Sequence, residues 1–317
     1  MTEEVNTMKA FGVTEFGGPE ALHSLDLPIP EPGPGEIRIR VAAAAVNAVD
    51  SLIRSGVARF SDTQPPFVPG ADAAGVVDQI GGGTDTDLSL GDRVMAIVLP
   101  AGTHGAYAQY VTVPAESAVK APTNTGDEEA ATVPMNGLTA RLALDTLGLA
   151  AGQVVAITGA AGAVGGYAVQ LAKTDGLQVI ASAAPEDEDL VRKLGADIVV
   201  PRGPEWAYQV REHVSNGVHG LVDAAGLGDL AVPAVRDGGT VVSLRGQDGA
   251  EDRGIVVKSI VVFRYAREHA KLDQLRQQVE QGTLLPRVAR VLPADQAAEA
   301  HRLLEAGGLR GRIVLAF

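Results

Sequence analysis

The sequence predicts an α/β protein in which a doubly wound parallel sheet is joined to a small all-β barrel. Three observations lead there. Residues 154–158, VVAIT, are an uncharged, β-branched run that ends in a glycine-rich turn and is followed by apolar residues at helical spacing. Downstream, runs of strand length alternate with helical stretches at the spacing of βα units. Upstream, several short strands are separated by regular turn signals, the pattern of a barrel or sandwich.

The 317 residues are enough for two domains and a sizeable core. Hydrophobic residues make up 46% and charged residues 21%, ordinary for a globular protein. The net charge of −13 argues against a nucleic-acid or anionic-membrane partner. The sequence has no cysteine, which excludes disulfides, Cys-ligated zinc and a thiol nucleophile. The first residues, MTEEVNTMKAFGV, are acidic and polar, unlike a signal peptide, and no apolar run approaches the roughly 20 residues that span a bilayer. A soluble cytoplasmic protein is the expectation.

In chain order, residues 8–13 read as a strand, and PIPEPGPGE (28–36) as a turn-rich connector. Residues 37–46, IRIRVAAAAV, begin with strict alternation, as a half-buried antiparallel strand does. Residues 47–56 read as a turn and short helix, 69–82 as turn glycines with a strand, 90–99 as a turn and strand, and 105–113 as a further alternating strand. Residues 127–147 read as two helices broken at 134–137. Strands follow at 154–158, 178–182, 198–200, 220–223, 240–244 and 259–263, with helices at 166–174 and 188–194 between. The tail reads as helices at 267–282 and 294–306 and a closing strand at 311–315.

The turn Gly159-Ala160-Ala161-Gly162-Ala163-Val164-Gly165-Gly166 is the firmest site in the sequence. Gly162 lets the backbone approach a pyrophosphate, and Gly165 lets the helix pack close to the strand. The helix start offers unpaired N–H groups and a positive dipole end to phosphates. The first glycine of the usual G-x-G-x-x-G is Ala160 here. NAD-specific sites place an acid at the end of the second strand. That position is Ala183, so no carboxylate repels a 2′-phosphate; Ser182 can donate to one, and Arg202 can add positive charge. NADPH is the expected cofactor.

The order of motifs PGEIRIRVAAAAVNAVDSLIRSG, PGADAAGVV, GDRV, GAYAQYV, NGLTA, GAAGAVG, VDAAG and AHRLLEAGGLRGRIVLAF resembles the medium-chain dehydrogenase/reductase superfamily, and within it the zinc-free quinone oxidoreductase branch. The resemblance implies a discontinuous GroES-like barrel domain, 1–122 with 266–317, around a Rossmann domain, 123–265, and a homodimer. Where zinc-dependent relatives carry a cysteine and a Gly-His-Glu motif, this chain has residues 47–50 and Gly70-Ala71-Asp72, so no metal is expected. Asn47 and Thr139 are implied beside the nicotinamide, Asn47 as an amide donor. Asn47 and Asp50 are the candidate catalytic residues, Asp50 chiefly as the group that orders the loop or caps the short helix. The glycine turn (Ala161 to Gly165), Ser182, Arg202, Leu244, Phe263 and Arg312 complete the implied cofactor site, Arg312 near the phosphates. Leu52, His104 and Tyr265 are the substrate-pocket candidates; His104 is the one histidine expected near the cleft.

Without a Lewis acid, hydride transfer suits an acceptor that is already electrophilic, such as a quinone or a C=C bond conjugated to a carbonyl. Two alternatives stand beside this expectation. One is an enoyl-thioester reductase, which a basic patch at the pocket mouth would favour. The other is an NADPH-binding protein without catalysis.

Overall fold

A computed structural model describes residues 6–60, 62, 64–245, 248–250 and 252–317; residues 1–5 of the acidic first stretch lie outside the described residues. The chain forms two compact units. The first comprises Met1–Met135, Phe263–Glu280 and Pro286–Phe317, the second Asn136–Val262 and Gln281–Leu285. These divisions differ from the expected 122/123 and 265/266. The first unit keeps residues 123–135 because the short helix there packs on the barrel strands.

The first unit begins with strands β1 (Thr7–Gly12), β2 (His23–Pro28) and β3 (Glu36–Ala45), helix α1 (Ala48–Arg54), and strands β4 (Asp72–Ile80), β5 (Arg93–Ile97), β6 (Tyr110–Pro114) and β7 (Ala118–Lys120). β1 and β2 form an antiparallel hairpin. β3 is the hub, paired antiparallel with β4 on one side and with β6. Its alternation has the expected effect: Ile37, Ile39 and Val41 face a core shared with Val77, Val94, Tyr107 and Val111. Helix α2 (Asp127–Ala130) closes this part of the chain.

The second unit opens on α3 (Pro134–Leu147). The expected break at 134–137 is instead at 131–133, because proline is well suited to the first helical position. Strands β8 (Val154–Thr158), β9 (Gln178–Ala183), β10 (Ile198–Pro201), β11 (Val218–Asp223), β12 (Val235–Ser243), β13 (Gly249–Ala250) and β14 (Val256–Ser259) follow, with helices α4 (Ala163–Thr174), α5 (Glu188–Lys193) and α6 (Trp206–His213). The sheet order is β10-β9-β8-β11-β12-β14-β13, parallel throughout except for β13. The strand order reverses between β8 and β11, the switch point at which α/β sheets bind ligands.

The strand expected at 259–263 lies earlier. β14 pairs with β12 from Thr240↔Val256 to Ser243↔Ser259, so its ladder ends where β12 ends. Residues Val262–Tyr265 form a 3₁₀ turn instead. The strand expected at 240–244 is the end of the longer β12.

The chain then returns to the first unit with α7 (His269–Glu280), β15 (Val288–Pro293), α8 (Ala297–Ala306) and β16 (Arg312–Ala316). β16 pairs antiparallel with β3 and parallel with β15, so the C-terminal strand completes the first unit's sheet.

Candidate functional site

In the second unit the site is built from backbone. Gly162 is the N-cap of α4. Helix geometry leaves the N–H groups of Ala163, Val164 and Gly165 without intrahelical partners. Gly159 turns the chain with φ +62 and sits against Ala225, which follows β11. A Cβ on Gly165 would collide with the Gly159 carbonyl oxygen, so only glycine allows the helix this close to the strand end. At Gly162 φ is −73, which any residue adopts, but a Cβ would stand 3.1 Å from the same carbonyl, so the turn would have to yield slightly, and a side chain would fill the space over it.

Beside this turn, the Thr158 hydroxyl donates to Asp223 Oδ1 at 2.7 Å and accepts from Ala225 N at 2.9 Å. Asp223 also accepts from Gly226 N and Gly228 N, at 3.0 and 2.9 Å. A buried carboxylate therefore shapes the loop beyond β11, at the switch point. The sequence had shown only VDAAG; the Thr158–Asp223 pairing needs the strand register.

β9 ends at Ala183, as its place in the second-strand register implies, and Arg202 N donates to Ala183 O at 2.9 Å. Ser182 is buried, with its carbonyl accepting from Ala160 N at 3.1 Å, and Arg202 is exposed. Ser182, Ala183, Arg202 and the glycine turn thus lie together. Leu244 follows β12, its N–H donating to Asp223 O at 3.3 Å. Thr139 is buried on α3.

In the first unit the site is built from side chains far apart in sequence. Asn47 is the N-cap of α1 and is 4% exposed. Its Nδ2 donates to Asp72 Oδ2 at 2.9 Å and to Ala45 O at 3.2 Å. Both amide hydrogens are spent inside the unit, which corrects the expectation of an amide donor. Both of those partners are acceptors, so the amide orientation is fixed, with Oδ1 turned to the start of α1, where the capping box pairs it with Asp50 N and leaves its second lone pair to a ligand. Asp50, fully buried, accepts Asn47 N at 2.7 Å and Gly70 N at 3.0 Å. It thereby satisfies a helix-start donor, as a residue three beyond the cap commonly does. Burial pushes its carboxyl up to about 7, against the pull of the two N–H groups and Arg312.

Asp72, also fully buried, accepts Met135 N at 2.7 Å and stands 3.6 Å from Arg312 Nη2. Burial raises its pKa; Arg312 and the hydrogen bonds oppose this. Arg312 was expected near cofactor phosphates. Instead its Nε and Nη2 both donate to Val46 O, at 3.2 and 2.6 Å, and the side chain is 5% exposed. It is the counter-charge of two buried carboxylates rather than an available anion hook. Its Nη1 has no partner among the described residues.

Of the pocket candidates, Leu52 and Tyr265 are exposed. Phe263 packs edge-on against Phe60, ring centroids 4.9 Å apart, an aromatic neighbour that sequence reading did not single out. His104 is engaged elsewhere, its ring nitrogens 3.0 Å from Leu99 O and 2.6 Å from Thr112 O. The histidine that does join the polar cluster is His301, through Tyr107 and Asp50. Its stretch, AHRLLEAGG, read as an amphipathic helix and as part of the family resemblance, with no role for the histidine.

The chain belongs to the medium-chain dehydrogenase/reductase superfamily. The family described as "Alcohol dehydrogenase GroES-like domain" matches residues 33–123, and that described as "Zinc-binding dehydrogenase" matches residues 194–315. The chain is similar to an NADPH-dependent alkenal/one oxidoreductase of Arabidopsis thaliana, 31% identical, covering 97% of this chain and 79% of that protein. It is 28% identical to a quinone oxidoreductase of Sus scrofa, over 97% of each. Among solved structures, an NAD-dependent alcohol dehydrogenase superposes with TM-score 0.87 at 33% identity, covering 98% of this chain and all of that one. A mycobacterial quinone oxidoreductase gives 0.83 at 30%, with 98% and 100% coverage.

The zinc in the second family's description finds no fitting donor set here. The sequence has no cysteine, and no group of three His, Cys, Asp or Glu among the described residues is arranged to hold a metal. Asp72 spends its oxygens on Asn47 and Met135 and faces a guanidinium, which opposes a second cation.

Proposed function

We propose that this protein is a zinc-independent, cytoplasmic oxidoreductase that uses NADPH to reduce quinones or C=C bonds conjugated to a carbonyl. The observation that carries the reading is the cradle at the start of α4, where the Gly162 N-cap leaves room over three N–H groups that have no intrahelical partners. The names of the plant and pig relatives support the acceptor class. The cofactor supplies a hydride when bound; the residues of the chain bind and orient.

Ala161, Gly162, Ala163, Val164 and Gly165 take the pyrophosphate. The relatives' names divide on the nucleotide, one NADPH and one NAD. For this chain NADPH is favoured by Ala183 in place of an acid, with Ser182 and Arg202 beside it. Leu244, Thr139 and Phe263 are proposed along the rest of the cofactor. Asn47 offers Oδ1, an acceptor held in one orientation by Asp72, to the carboxamide or to a hydroxyl of a ligand. Leu52, Phe60 and Tyr265 give an apolar and aromatic lining suited to a planar acceptor. No side chain needs to polarise a simple ketone, since a quinone or enone is electrophilic already and solvent can return the proton. A homodimer paired through edge strands is the proposed assembly.

Titration with NADPH and NADH followed by fluorescence, then NADPH consumption with a quinone, an enone and an enoyl thioester, tests this. Saturable NADPH binding and turnover of the quinone or enone are expected. Binding without turnover of any acceptor would overturn the enzymatic reading.

A further inference from the structure

Asp50 accepts a third hydrogen bond, from the Tyr107 hydroxyl at 3.2 Å. The Tyr107 oxygen lies 3.1 Å from His301 Nε2. On its other side, His301 Nδ1 lies 3.1 Å from Arg54 Nη1 and 3.4 Å from Ser51 Oγ. A guanidinium only donates, so Nδ1 accepts and the imidazole proton sits on Nε2. Nε2–H then donates to the Tyr107 oxygen, and the single Tyr107 O–H donates to Asp50 Oδ2. The direction of each bond is set by the two ends of the chain, a fixed cation and a buried carboxylate. Arg54 is itself anchored by Gly17 O at 3.0 Å and by Glu305 at 2.7 Å. Asp50, Tyr107 and His301 are all fully buried.

The chain ends on the two N–H groups that shape the Asn47 turn and Gly70. We propose that Tyr107 and His301 are positioning residues of the hydride-transfer reaction, holding Asp50 ionised so that it keeps the Asn47 turn in its working geometry. This rests on the reading of Asn47 given above. Once protonated, Asp50 turns one oxygen into a donor and can no longer accept from Asn47, Gly70 and Tyr107 together. The charged and titratable groups around Asp50 are Asp72, which opposes its ionisation, Arg312, which favours it, and Tyr107, with His301 and Arg54 behind it. His301 adds no charge near neutral pH. Burial, with Arg54 beside it, lowers its pKa to about 3.

The test is the pH profile of NADPH oxidation with a naphthoquinone acceptor in wild type, Tyr107→Phe, His301→Leu and His301→Gln. An acid limb near 7 is expected in wild type. In Tyr107→Phe it moves up by about one to two units, the worth of a hydrogen bond to a charged acceptor, and in His301→Leu, where Tyr107 still donates to Asp50 but loses its own donor, it moves up by less. The rate of Tyr107→Phe at pH 7 then falls about tenfold, while NADPH affinity holds within about twofold in both. His301→Gln restores the limb, since its amide both accepts from Arg54 and donates to Tyr107. A purely structural role would lower the melting temperature and leave the limb in place, and that result overturns the proposal. A second measurement needs no variant. Nitrogen NMR of the wild-type histidines at pH 7 must show His301 protonated on Nε2 alone; an Nδ1–H tautomer or an imidazolium overturns it. A wild type that binds NADPH but turns over none of the acceptors defeats the functional reading itself, whereas turnover with an unmoved limb defeats this proposal alone.

Discussion

The two units solve the problem of a functional site in opposite ways. The second presents backbone: a glycine N-cap, helix-start N–H groups without intrahelical partners, and a turn whose tightness forbids a Cβ at Gly165. The first presents a buried side-chain cluster, Asn47, Asp50, Asp72, Tyr107, His301 and Arg312, each paired with another or with main chain. A backbone site is local, so one bulky or charged atom destroys it without harming the fold. A side-chain cluster is distributed, so its members contribute to stability and function together. This contrast predicts different signatures for mutations in the two units.

The largest effect is expected at the backbone site. Gly162→Asp places a carboxylate over the helix start, where it takes the N–H groups and repels the pyrophosphate. Its φ of −73 suits any residue. NADPH affinity should fall more than a hundredfold by fluorescence titration, with the melting temperature little changed. Unaltered affinity would remove the turn from the cofactor site.

In the side-chain cluster the loss should fall on stability. Asp72→Ala leaves Arg312 buried beside Val46 O without its nearer counter-charge, and removes the acceptor that orients Asn47. Breaking such a buried pair from one side typically destabilises by about 3–5 kcal/mol. Urea unfolding measures this. Asp72→Leu with Arg312→Met should recover much of the loss, which would separate an unpaired charge from a lost scaffold.

The same contrast explains what the sequence disclosed. VVAIT followed by GAAGAVGG holds strand, turn and helix start within a dozen residues, so the second unit's site is written in one stretch. The alternating IRIRV of β3 was equally plain, because one face is buried along its length. The cluster in the first unit joins residues 47, 50, 72, 107, 301 and 312 through pairing of β3, β4 and β16 and the docking of α8. No local pattern encodes those pairings. Asn47 read as a donor because an isolated amide can donate; that Asp72 and Ala45 consume both hydrogens depends on β4 lying beside β3. The resemblance places Arg312 near the phosphates, and its burial against Val46 O depends likewise on β16 lying beside β3. His301 was hidden by helical periodicity, which marks it as core and says nothing of its partners.

A pH effect separates the distributed site from ordinary burial. His301, normally near 6.5, is held down at about 3 by burial and by Arg54. A lowered folded pKa gives stability that is present above the unfolded value and lost as pH falls through the folded one. His301→Gln carries no such dependence. Its penalty relative to wild type should therefore shrink as pH falls from about 6.5 to 4, by roughly 3 kcal/mol. Asp50 works in the reverse sense in wild type: its raised pKa of about 7 gives stability that is lost as pH rises. Both proteins carry that contribution, so the difference between them isolates His301. A penalty constant with pH would mean that His301 is not held neutral.

The smallest expected effect returns to the second unit. Arg202 is exposed, and its backbone N–H donates to Ala183 O. With no ion pair among the described residues, its guanidinium can meet a 2′-phosphate, but solvent screens that attraction strongly. Arg202→Ala should thus weaken NADPH about five- to tenfold at low salt, less at high salt, and leave NADH unaffected. Measuring both dissociation constants at two ionic strengths checks this. If the two nucleotides lose affinity equally, Arg202 contacts the common part of the cofactor. If neither changes, NADPH preference rests on Ser182 and on the missing acid at Ala183, features of the backbone turn and its neighbouring strand end alone.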